Sequence, residues 1–154
     1  RMKRAQNGMV ICCRVGGLLV GIDLAATQEI NRQVEPTFVP LLQPHVRGLI
    51  NLRGNLVTVL DLGQIVRGST TTGGAQTRCV VVELGEEVVG LLVDAVGDVV
   101  DTAGRRREAL PTHLPQDQQQ WFSGMVQLER ELLLLLDVAA VGRFGTAAAA
   151  GNAR

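Results

Sequence analysis

The sequence predicts an all-β protein of two small β-barrels packed on each other, and three observations predict it. The chain repeats itself. Its apolar runs are short, rich in Val, Leu and Ile, and interrupted by glycine or charged turns. No long segment carries helical periodicity, so strands must build the core.

The repeat comes in two half-units. RVGGLLVGIDLAATQEI (14–30) aligns with ELGEEVVGLLVDAVGDV (83–99), placing Gly16, Gly21 and Ala26 on Gly85, Gly90 and Ala95 at an offset of 69. RGLINLRGNLVTVLDL (47–62) aligns with SGMVQLERELLLLLDV (123–138), placing Gly48, Leu52, Leu56, Leu60 and Asp61 on Gly124, Leu128, Leu132, Leu136 and Asp137 at an offset of 76. One duplicated motif, with seven residues inserted in the second connecting loop, accounts for both offsets. The expected layout is a first copy over about 9–66, a linker at 67–77, a second copy over about 78–142 and a flexible tail at 143–154.

Element by element, residues 9–24 and 78–93 each read as two strands joined by a tight turn, at Gly16-Gly17 and at Gly85-Glu86-Glu87. Residues 49–62 read as strand, turn, strand, with Arg53-Gly54-Asn55 at the turn and Gly54 free to take positive φ; residues 125–138 repeat this around Glu129-Arg130-Glu131. Leu56, Val57, Val59 and Leu60 are apolar on successive positions, which calls for cover on both faces. The segment 101–120 is polar with two prolines and is expected to run over the surface. Cys12, Cys13 and Cys79 align with Val81, Val82 and Val10, and no CxxC spacing occurs, so they are expected to be core residues.

Composition excludes several classes. The chain has 154 residues, 46% of them hydrophobic, and no formal net charge. No apolar run reaches the roughly 20 residues of a membrane span. The N-terminal RMKRAQNGMV shows no secretory pattern, and Arg1 ahead of Met2 reads as a residue left from cloning, so a cytoplasmic location is expected. Two histidines, two serines and no tyrosine give no nucleophile-base pair, and no His, Cys and carboxylate cluster has metal-ligand spacing, so no catalysis, metal or cofactor is expected. The first 66 residues hold 7 basic and 4 acidic groups, net +3, and the rest 8 and 11, net −3, a mild polarity unlike a nucleic-acid footprint. Arg105-Arg106-Arg107 reads as a solvated loop, and Phe38, Trp121, Phe122 and Phe144 offer little for base stacking.

VRGLINLRGNLVTVLDL (46–62) resembles the signature of CheW-like domains, the adaptors of bacterial chemosensory arrays. TQEI (27–30), RCVVVELGEEVVGLLVDAVGDVV (78–100) and FSGMVQLERELLLLLDVAAV (122–141) resemble further family elements in family order, over about 9–142. The resemblance implies two intertwined five-stranded SH3-like barrels. It also implies a non-enzymatic scaffold joining chemoreceptor cytoplasmic tips to the regulatory domain of a CheA-type histidine autokinase. It carries receptor-binding roles onto Glu29, Arg53, Asn51, Arg47, Thr27 and Arg78, and turn-shaping roles onto Gly48 and Gly54. Thr58 replaces a usual proline, Thr27 a usual apolar residue and Arg78 a usual apolar contact. These departures support an alternative, a diverged accessory adaptor that keeps one partner only.

Overall fold

The computed structural model describes residues 8–32, 36–37, 43–71 and 73–152, without the side chains of 146–152; residues 1–7, 33–35, 38–42 (Phe38 among them), 72 and 153–154 lie outside the described set. Strands run in the order β1 (Met9–Val15), β2 (Leu18–Asp23), β3 (Thr27–Arg32), β4 (Val46–Leu52), β5 (Asn55–Asp61), β6 (Arg78–Leu84), β7 (Glu87–Val93), β8 (Ala95–Asp101), β9 (Arg107–Glu108), β10 (Phe122–Gln127) and β11 (Leu132–Leu136). Helix α1 (Leu62–Arg67) follows β5, α2 (Gln116–Gln119) precedes β10, and α3 (Val138–Asn152) follows β11.

The two copies exchange strands. One sheet has the order β8-β1-β2-β11-β10-β9 and the other β3-β6-β7-β5-β4. The leading hairpin of each copy therefore sits among strands of the other, and β9 is a two-residue edge addition to one sheet. Pairing register is the same in both. Val10 faces Asp23 in one sheet and Cys79 faces Leu92 in the other, and the parallel contacts Leu134–Val20 and Thr58–Val89 are also equivalent. Even the bulges match, at Val46/Gly48 and at Phe122/Gly124.

Strand exchange explains the continuous apolar runs. In β1, Val10 and Cys12 enter a small core with Val126, Leu133 and Leu135, while Ile11, Cys13 and Val15 enter a larger one. In β6, Cys79 and Val81 meet Val59 and Leu92 in the second small core, while Val80 and Val82 join the larger one. Each barrel has its own interior and a third core seals the two together, so the leading hairpins are buried on both faces. All three cysteines are free and buried, and burial pushes the Cys13 and Cys79 thiols up to about 12.

The ends of the two copies carry more local structure than their composition suggests. Residues 143–152, expected as a tail, continue α3, which an alanine-rich sequence and the aspartate before the helix favour despite its glycines. Gly142 and Gly145 lie where a Cβ would collide with the Leu84 and Leu60 side chains, so both glycines admit close packing of the helix. Within the segment expected as the linker, Gly68 caps α1 in a left-handed conformation and Thr71 is buried beside Asp61. Finally, Leu56 is 72% exposed, although its run suggested cover on both faces.

Candidate functional site: a charged turn beside an apolar cleft

The β4–β5 hairpin turns through Arg53 and Gly54 alone, with Leu52 paired to Asn55. Both turn residues have positive φ, +52° and +88°, the pattern that matches the twist of a two-residue hairpin. Gly54 takes it freely. Arg53 is the one non-glycine residue with positive φ among the described residues. Asn51 holds the turn, its Oδ1 accepting the Gly54 N–H at 2.9 Å.

Arg53 is 75% exposed in its side chain and reaches Glu29 of β3, Nη1 to Oε1 at 2.5 Å. Strand β3 lies at the opposite edge of the sheet order from β4, so this ion pair bridges the two ends of the five-stranded sheet. Its surface position limits its stabilising value to below about 1 kcal/mol. Beside it lies an open cleft with Leu52, Leu56, Val57 and Val88 as its apolar part and Gln28, Arg53, Asn55 and Glu86 as its polar part. An exposed leucine flanked by a fixed cation and anion can seat an amphipathic partner and set its orientation.

Three of the other expected residues, Arg47, Arg78 and Thr27, bond elsewhere in the fold. Arg47 donates from Nη1 to Asp61 Oδ2 at 2.9 Å and to the Thr71 carbonyl at 3.0 Å. Asp61 is fully buried, caps α1 through the Gln64 N–H and also accepts the Thr71 N–H and hydroxyl, so Arg47 neutralises an interior carboxylate. Arg78 spends its guanidinium on the carbonyls of Ala75 and Thr77. The Thr27 hydroxyl donates to the Asp23 carbonyl. Asn51 shapes the turn as described.

Gly48 is not a turn residue. It lies at the β4 bulge with φ +142°, and a Cβ there would strike the carbonyl of Thr37, whose backbone bridges Leu49 in both directions at 2.8 and 3.1 Å. Its role is to let that edge segment close. Leu56 was missed by the sequence reading, although its mate in the second copy, Leu132, is also an exposed large apolar residue. Among the described residues no group of three His, Cys, Asp or Glu side chains is placed to hold a metal ion.

Comparison with known proteins gives one consistent result. The CheW-like domain matches residues 9–143. The Chemotaxis protein CheW of Bacillus subtilis is 28% identical over 132 residues, covering 86% of this chain and 85% of that protein. The Chemotaxis protein CheW of Rhizobium meliloti is 26% identical over 141 residues, covering 90% and 91%. Among solved structures, the scaffolding protein TtCheW from Thermoanaerobacter tengcongensis shares the fold with a TM-score of 0.76 at 22% identity, covering 85% of this chain and 84% of that one.

Proposed function

The chain belongs to the CheW-like domain family, and from that premise we propose that it is a non-enzymatic adaptor coupling chemoreceptor signalling tips to the regulatory domain of a CheA-type histidine autokinase. It works in the cytoplasm at receptor arrays and takes no cofactor. Residues 9–142 act as one domain, because neither copy completes a barrel without strands of the other.

One observation within the chain supports the receptor surface most directly. Arg53 is held in an unfavourable backbone conformation, exposed and paired to Glu29, beside exposed Leu56. Strain at a solvent-facing residue that contributes little to stability is what a binding site accumulates. A helical receptor tip would bury its apolar stripe against Leu56, Leu52 and Val88, while Arg53 and Glu29 select charge and register. Arg47, Thr27 and Arg78 are partly exposed and are proposed as further receptor contacts, although each also bonds within the fold.

Calorimetric titration with a receptor signalling-tip fragment, and separately with the kinase regulatory domain, tests the reading. Binding to both supports coupling. Binding to one alone favours the diverged accessory adaptor, and binding to neither cognate partner sinks the proposal.

A further inference from the structure

His45 and Trp121 hold the same place in the two copies. They stand 76 residues apart, the offset of their half-units. Each offers its carbonyl to the N–H of the aspartate that precedes a helix, Asp61 N–H to His45 O at 2.7 Å and Asp137 N–H to Trp121 O at 2.8 Å. Both rings also meet one side chain, Phe144 of α3, at centroid distances of 4.6 and 5.0 Å. The first copy supplies no counterpart to Phe144, since α1 stops at Gly68, the residue 76 positions before it.

His45 is 6% exposed, and its Nε2 finds no hydrogen-bond partner among the described residues. Phe144 is 42% exposed on the last helix of the chain. A doubly protonated His45 in place would be a buried cation whose Nε2–H has no partner among the described residues. Moving Phe144 away would admit water to that nitrogen while both barrels stay intact.

We propose that His45, Phe144 and Trp121 form a proton-sensitive latch: neutral His45 allows α3 to dock across the joined barrels, and protonated His45 releases it. Release would free α3 beyond Val138 and Val141, which stay in the large core, and would uncover Trp121, Leu60 and Leu84, the apolar surface against which Phe144, Gly145 and Gly142 now sit.

The sign follows from burial. Desolvation lowers the His45 pKa in the docked state, so the undocked state binds more protons. Docking is complete above the ordinary histidine value and weakens as pH falls below it. Charged groups on the neighbouring elements are Arg47 and Asp61, already bonded to each other, Asp137, which accepts the Ala140 N–H, and Arg143. Among the described residues, burial is the cause that lowers the His45 pKa.

Trp121 is the single tryptophan, and the chain has no tyrosine, so its fluorescence reads the latch directly. Acrylamide quenching should be compared at about pH 7.5 and about pH 5.5, a window above ordinary carboxylate titration, with far-UV circular dichroism recorded in parallel. The undocked-to-docked ratio is expected to rise by up to about tenfold per pH unit below the histidine value, with the β signal retained. His45→Phe should keep quenching low at both pH values, and Phe144→Ala should make it high at both. Three results would overturn the latch: quenching of the unaltered protein that ignores pH, an equal rise in His45→Phe, or a rise that comes only with loss of the β signal.

Discussion

Arg53 sets two demands against each other. A left-handed backbone costs a residue with a Cβ roughly 1 kcal/mol, and asparagine or glycine would occupy the position more cheaply. The Glu29 ion pair returns little of that, with Arg53 so exposed. Arg53→Asn should therefore leave the melting temperature unchanged or slightly higher while weakening receptor-tip binding. If it instead lowered stability by more than about 1 kcal/mol in urea unfolding, the ion pair would be structural and the contact role lost. Gly54→Val belongs to the same turn and should act oppositely. The space around Gly54 is empty, so the expected loss of about 1 to 3 kcal/mol comes from backbone strain alone. Sequence showed the glycine and the arginine but not that both carry positive φ, because Arg at that turn position runs against propensity.

At the scale of elements, the two strand-to-helix junctions share an aspartate and differ in how deeply it sits. Asp137 accepts the Ala140 N–H at 3.1 Å and is half-buried, an ordinary cap for α3. Asp61 performs the same service for α1 but is fully enclosed by Thr71 and Arg47. Asp137→Ala should cost about 1 kcal/mol, the usual value of a lost cap. Arg47→Ala should cost more, about 2 to 4 kcal/mol, because it strands a buried carboxylate. Asp61→Asn combined with Arg47→Ala should recover part of that loss, since no charge remains to be compensated. A single Arg47→Ala that unfolds at the same urea concentration as the parent protein would show the pair to be incidental. The repeat made both aspartates visible in the sequence. It could not show which one meets an arginine, since Arg47 aligns with Ser123 and the partner exists in one copy only.

For the whole molecule, the duplication was legible because two offsets, 69 and 76, survive in the sequence. They foretell matched registers and matched bulges, and the structure has both. The helix α3 was less legible, since Gly142 and Gly145 lower helix propensity and their need arises only from Leu60 and Leu84, distant in sequence. Exposure of Leu56 depends in the same way on where neighbouring strands end. The exchange of strands has a consequence that can be measured. A fragment of residues 8–71 would contain β1 and β2 without β8 or β11, and β3 and β5 without β6 or β7, leaving their apolar faces and edges open. The complementary fragment, 73–152, would lack the same partners in reverse. Each fragment alone should show no cooperative unfolding transition, because all three cores draw on both. Mixed together, they should regain the β circular dichroism of the whole chain and bury Trp121, with a midpoint that depends on fragment concentration. Cooperative folding of either fragment by itself would mean that a barrel can close within one copy, and the interlocked reading of the cores would then be wrong.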